Sequence, residues 1–377
     1  RCKSRSASRQ LSRSLPESCL ASSCISATSP TSSVPSAADE VRRAIAAGDG
    51  AIRFDEFVRL ALYGDHGFYT GARSGRAGRR GDFLTSPEVG PLFGTVIARA
   101  FDAWWEDLGR PDPFDVVEVG AGPGTLARAV VASAPACASV MRYTAVEIAP
   151  QQRAMHPSGI TSLAEMPNQP LTGVIVANEL LDNLPFRLFV FDGGWRESYV
   201  GTQGDRFVEH LAAVDQVPSC LPNIATHGAR AAVQDAAREW VESAISRLVH
   251  GRVVALDYCT NTATMVARPW REWLRTYTSH GRGSHYLANV GDQDITVEVA
   301  VDQLPAVSVI STQADFLRRH GIASLVEEGR QLWQERASSP DLAAMRMRSR
   351  VSEAEALLDP NGLGGFSVLE WATRDSV

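Results

Sequence analysis

Residues 116–126 read VVEVGAGPGTL, and no other stretch constrains the fold as tightly. An apolar, valine-rich run ends at Glu118, after which Gly120, Gly122 and Gly124 alternate with other residues. Such a run favours a strand buried on both faces. The glycines allow a tight turn and a close backbone approach to a ligand, because no Cβ stands in the way. The helix-forming segment GTLARAVVASA follows, then the apolar runs RYTAVEIA, GVIVAN and RVVALDY, the last at 252–258. Strands alternating with helices predict an α/β fold built on a mostly parallel sheet.

The turn also narrows the ligand. The dinucleotide fingerprint is GxGxxG, with pyrophosphate on the helix N-terminus. Here the spacing is GxGxG, and Thr125 stands where the third dinucleotide glycine would be. Glu118 would repel a phosphate but suits a ligand carrying an ammonium and a sulfonium. S-adenosylmethionine is such a ligand: cationic, phosphate-free and built on a ribose. Glu147 closes the next strand and is placed to accept hydrogen bonds from ribose hydroxyls. No Gly-Lys-Ser/Thr follows the turn, which excludes a P-loop.

Bulk composition removes other classes. The chain has 377 residues, and 44% are hydrophobic, enough for a large core. Five basic residues and one acid fall within 1–38, so the net −6 leaves −10 on the remainder. An acidic body argues against a nucleic-acid partner, which calls for clustered Lys and Arg. No apolar run is long enough to predict a membrane span. The six cysteines form no CxxC pair, so no metal centre is predicted.

Residues 1–38 are Ser- and Arg-rich with few large apolar side chains, and are expected to be a disordered tail. Acid-poor and Arg-rich is also the composition of a transit peptide. The location expected is the cytoplasm, with the mitochondrion as the alternative if the tail is a targeting segment. Residues 39–110 are expected to form a helical region carrying a lid loop around GDFLTSPEV. A core over 111–377 follows, with inserted helical and loop segments around 201–250 and 261–308.

Several stretches together resemble a known family. They are ALYGDHGFYT, GDFLTSPEVGPLFG, VEVGAGPGTL, VANELLDNLPFRLFV, VVALDYC, DQDIT and FLRRHGI, from about residue 50 onward. The chain resembles the MidA-type S-adenosylmethionine-dependent methyltransferases, which include the mitochondrial complex I assembly methyltransferase. Pro123 and Cys259 stand where the family commonly has Arg and Gly, and the residues after DIT lack a common His. The resemblance implies a seven-strand Rossmann-like class I methyltransferase core with an added helical and loop substrate region. It also implies methylation of an arginine in a protein partner. A cofactor-binding assembly factor without turnover and a small-molecule methyltransferase are the alternatives, and a homodimer is compatible with either.

Arginine is a poor nucleophile, since its charge is delocalised and its pKa exceeds about 12. Carboxylates can grip the guanidinium, turn one nitrogen toward a methyl donor and accept a proton as the bond forms. NELLDNLPF supplies them after the 173–177 strand: Glu179 for the grip, with Asp182 helping. The alternative is that both acids cap a following helix. Asn178 and Asp82 are candidate cofactor contacts, beside Glu118, the three glycines and Glu147. Thr85, Ser86 and Glu88 belong to the lid, although TSPEV is also a helix start. Asp257 ends a strand and is expected to line the pocket. Asp294 and Thr296 match the family without a derivable role, and Trp104 and Trp105 are expected in the core.

Overall fold

A computed structural model describes residues 35–71, 85–278, 281–339 and 341–373. The expected disordered tail lies almost wholly outside them, and so does Asp82. The first described helix, Ala37–Ala47, is capped by Ser36, whose Oγ accepts from the Asp39 amide while the Asp39 side chain answers in a capping box.

Seven strands form the main sheet: β1 (Phe114–Val119), β2 (Met141–Val146), β3 (Thr161–Leu163), β4 (Leu171–Asn178), β5 (Leu248–Asp257), β6 (Val309–Thr312) and β7 (Ser367–Ala372). Their spatial order is β6-β7-β5-β4-β1-β2-β3. β7 runs antiparallel to both neighbours, and the pairs β5–β4, β4–β1, β1–β2 and β2–β3 are parallel. This is the expected Rossmann-like methyltransferase sheet. The central strands are valine-rich and buried on both faces, as β1 and β4 show.

One face packs on helices Pro91–Asp107 and Thr125–Ser133, with Val116, Val174 and Val254 meeting Phe93, Phe101 and Trp104. The other face packs on helix Asp235–Ser246 through Ala237, Val241 and Ala244. Trp104 is buried as expected, and Trp105 donates to the Pro111 carbonyl at 3.0 Å. The strand order reverses between β1 and β4, so the crevice at their carboxyl ends is the natural ligand position.

The segments expected as helix and loop are partly sheet. Trp195–Gln203 and Arg206–Ala213 form a hairpin in a second, antiparallel sheet with Ala51–Arg53, Arg187–Phe191 and Arg230–Val233. Gly281–Arg282, Leu274–Thr278 and Asp294–Val297 form a third. Helices Ala37–Ala47 and Phe54–Tyr63 pack against these two sheets through Val41, Phe54, Phe57, Phe186 and Val297. The third sheet thereby faces the carboxyl ends of the main one: Asn183, just after β4, donates to Asp294 at 3.1 Å.

Candidate cofactor and acceptor cleft

The glycine turn leaves β1 as predicted. Gly120, Gly122 and Gly124 have φ of 73°, 53° and 74°, all in the left-handed region that side chains resist. A Cβ on Gly124 would lie 3.1 Å from both His156 and Pro157. His156 ties the turn down, its Nε2 2.9 Å from the Gly122 carbonyl and its Nδ1 2.8 Å from Ser162 Oγ. Nothing in the spacing of the sequence marks this histidine, because it lies 34 residues from the carbonyl it holds.

Glu118, Gly120, Gly122 and Asn178 line one cleft at this turn. The Glu118 carboxyl is buried, accepts from the Tyr143 hydroxyl at 2.7 Å, and is pushed up to about 7 by burial, against the pull of that hydrogen bond. Asn178 Oδ1 is buried with no hydrogen-bond partner, so the cleft holds an acceptor waiting for a donor. Glu147 is bonded to the turn itself. Its two carboxylate oxygens accept from the amides of Gly122 and Ala149, at 2.9 and 2.8 Å, so it braces the glycine turn beside the cleft. An ionised carboxylate has about four lone-pair sites, so capacity for hydroxyl donors is left.

The cleft is acidic. Glu88, Glu118, Glu179, Asp182 and Asp294 line it, and among the described residues no Arg or Lys does. Glu179 follows β4 with φ of +53°, a conformation uncommon outside glycine. Its amide donates to the Leu256 carbonyl of β5 at 2.8 Å, and its carboxylate accepts from Asn178 Nδ2 at 3.0 Å and from the Ser86 amide. Burial first, then the neighbouring Asp182, pushes the Glu179 carboxyl up to about 8.

Asp182 is buried in the short turn Leu181–Asn183. One oxygen accepts from the Thr296 hydroxyl at 2.6 Å, and Oδ1 has no partner. Burial and the nearby Asp257 hold this carboxyl well above the carboxylate range. The turn has no side-chain cap, so neither Glu179 nor Asp182 is a helix-capping acid.

The DIT motif thus gains a role in the site. Thr296 supports Asp182, while Asp294 Oδ1 accepts from Tyr69 Oη and Asn183 Nδ2, both at 3.1 Å. Tyr69 stacks on Tyr63, whose hydroxyl donates to the Asn183 carbonyl at 3.2 Å. These residues lie in segments scattered over some 230 positions; their stretches match the family, but nothing in the sequence shows that they touch.

Asp257 is corrected from pocket lining to scaffold. It is fully buried, and its carboxylate accepts from the amides of Leu181, Asp182 and Tyr258 at 2.9, 3.3 and 2.9 Å. It fixes the turn that carries Asp182. Of the lid residues, Thr85 and Glu88 line the cleft, whereas Ser86 is buried and its Oγ donates to Gln313 at 2.8 Å.

A doubly wound sheet with one antiparallel strand, a strand-end acid, a left-handed glycine turn and an orphaned acceptor beside it defines a class I methyltransferase. Comparison with known proteins agrees. The model of a family of S-adenosyl-L-methionine-dependent methyltransferases matches residues 96–319, more than half of the chain. The chain belongs to that family, and its cofactor is S-adenosyl-L-methionine.

A Burkholderia thailandensis protein solved with S-adenosyl-homocysteine bound is 25% identical, with a TM-score of 0.75 over 89% of this chain and 92% of that one. The mitochondrial protein arginine methyltransferase NDUFAF7 of Mus musculus is 25% identical over 66% of this chain and 64% of its own length. Its Drosophila melanogaster homologue is 40% identical over 22% of this chain and 18% of its own. The chain thus spans less than two thirds of the length of these two relatives. No helix among the described residues is long and apolar enough to cross a membrane.

Proposed function

We propose that this methyltransferase modifies an arginine side chain of a protein partner. The observation that carries the reading is the acidic cleft: five carboxylates, no Arg or Lys among the described residues, and a buried Asp182 oxygen without a donor. A guanidinium brings five donors in a rigid fork and a permanent charge, and so answers both features. The relatives named as protein arginine methyltransferases support the same acceptor. Their mitochondrial naming favours the mitochondrion over the cytoplasm as the location.

The cofactor fits the glycine side of the cleft. Gly120, Gly122 and Gly124 would give it backbone clearance, Glu118 would face its positive charge, and Glu147 would take ribose hydroxyls on its remaining lone pairs. Asn178 would use its orphaned Oδ1. Asp82, in the same reading, would contribute from the lid, outside the described residues. When bound, the cofactor supplies an electrophilic methyl group on a sulfonium. Everything else falls to the chain. Glu179 and Asp182 hold the guanidinium so that one nitrogen points across the cleft, and orientation of this kind lowers the barrier before any bond changes. The nitrogen that gains the methyl loses a proton, and Glu179, poised near 8, takes it.

A Glu179→Gln variant tests the assignment. Methyl transfer to arginine is expected to fall by roughly 10²- to 10⁴-fold, while calorimetry reports cofactor affinity close to that of the parent. Unchanged transfer would remove Glu179 from the chemistry.

A further inference from the structure

The third sheet carries a second concavity, opposite in charge to the first. Strand Leu274–Thr278 serves both. Tyr277 and Thr278 line the carboxylate cleft, while Leu274, Arg275 and Thr276 line a separate pocket. That pocket contains Arg271, Arg275 and Arg282 and, among the described residues, no acidic side chain. Arg275 is paired with Glu298 at 2.8 Å. Arg271 and Arg282 are exposed, and among the described residues neither makes an ion pair.

The two are nonetheless held together. Arg282 donates to the Arg271 carbonyl at 3.3 Å, and the Arg271 guanidinium lies over the Trp270 ring at 5.1 Å. His285, on the same wall, is held below its usual pKa chiefly by burial, with Glu209 opposing the effect and Arg230 and Arg271 adding to it. Like charges gathered in one concavity repel each other, and an anion entering it removes that repulsion. On a body of net −10 these unpaired arginines stand against the general charge.

We propose that this pocket binds an acidic side chain of the protein substrate, close in sequence to the arginine held in the carboxylate cleft. The proposal rests on the arginine-acceptor reading above. A carboxylate matches the forked donors of arginine. The distance fits as well. Arg275 and Thr278 are about 10 Å apart at roughly 3.3 Å per strand residue, so an extended peptide reaches from one site to the other in roughly three to five residues. An acidic cleft and a basic pocket on one strand select a peptide with the opposite order of charges. They also reject one whose arginine is flanked by bases, because a second cation would meet Arg271 and Arg282.

The test uses peptide pairs with a single arginine and, four residues away on either side, glutamate or glutamine. Each is titrated by fluorescence anisotropy against the full chain saturated with S-adenosylhomocysteine, then offered for methylation with S-adenosylmethionine. One glutamate peptide is expected to bind roughly tenfold more tightly than its glutamine twin. That advantage is expected to vanish in the double variant R271Q/R282Q and to shrink with added salt. Calorimetry with S-adenosylhomocysteine shows that the double variant is folded.

Equal binding of the twins, with both methylated, would overturn the pocket and leave the arginine acceptor standing. An advantage that survives in the double variant would overturn it too, since the glutamate would then be held elsewhere. Failure of every peptide both to bind and to accept a methyl group would overturn the two readings together.

Discussion

Glu179 joins three local costs at one residue: a left-handed backbone, a largely desolvated carboxyl and an acidic neighbour. Positions like this persist where the surroundings over-determine them, and they gather at functional sites. The surroundings here are the Leu256 carbonyl, the Asn178 amide and the Ser86 amide. A direction with pH follows. In the proposed reaction the charged form of Glu179 grips the guanidinium and accepts the proton, and burial pushes this carboxyl up to about 8. The ratio kcat/KM should therefore rise as pH is raised from 7 to 9, and Glu179→Gln should lose that rise. A profile that falls over this range would contradict the role. The sequence shows Glu179 and Asp182 as acids after a strand, but not their strain or support. Tyr69, Asn183 and Thr296 reach the site from other elements, and only the folded chain shows them touching.

Among the elements, the turn Leu181–Asn183 depends on Asp257, whose carboxylate takes three backbone amides. Asp257→Ala would leave those buried donors unpaired, at a cost of roughly 2 kcal/mol. Asp182 would lose its fixed position. Thermal unfolding should move down and acceptor binding should weaken, with cofactor affinity much less affected. If the variant keeps both its midpoint and its acceptor affinity, the turn is held by other means.

Elements buried on both faces were legible as apolar runs: β1, β4 and β5, each flanked by turn residues. Helices Ala37–Ala47 and Gln313–Arg319 likewise begin at a Ser or Thr cap, Ser36 and Thr312, a residue type that marks a helix start in sequence. The hairpin Trp195–Gln203 with Arg206–Ala213 was not legible, because its second strand is exposed or half-buried throughout and lacks a clean alternation. Helices Ile322–Arg336 and Leu342–Leu358 escaped for a related reason: mostly exposed, they bury only four residues each.

Across the whole molecule, the raised carboxyls tie stability to pH. Glu118, Asp257 and Glu179 stand at about 7, 7 and 8 in the folded chain, far above their unfolded values near 4. Between those limits the folded state binds more protons than the unfolded one, so stability falls as pH rises. His285 and His320, held low in the fold, act in the opposite direction, but only up to the unfolded histidine value near 6.5. The cofactor-free midpoint should therefore drop between pH 7 and 8.5. Bound S-adenosylmethionine, a cation beside Glu118, should flatten the slope. A midpoint that climbs over this interval would contradict the buried acidic cleft.

The proposed activity joins a cofactor turn to a cation-binding acceptor site. Its most direct test is labelled methyl transfer from S-adenosylmethionine to the proteins of a host lysate, followed by hydrolysis and amino-acid analysis. The label should appear in methylarginine with the parent chain and be absent with Gly122→Val, whose branched side chain cannot adopt the left-handed turn at φ of 53°. Label in another amino acid or in a small molecule would contradict the acceptor, and so would no label from a chain that binds the cofactor.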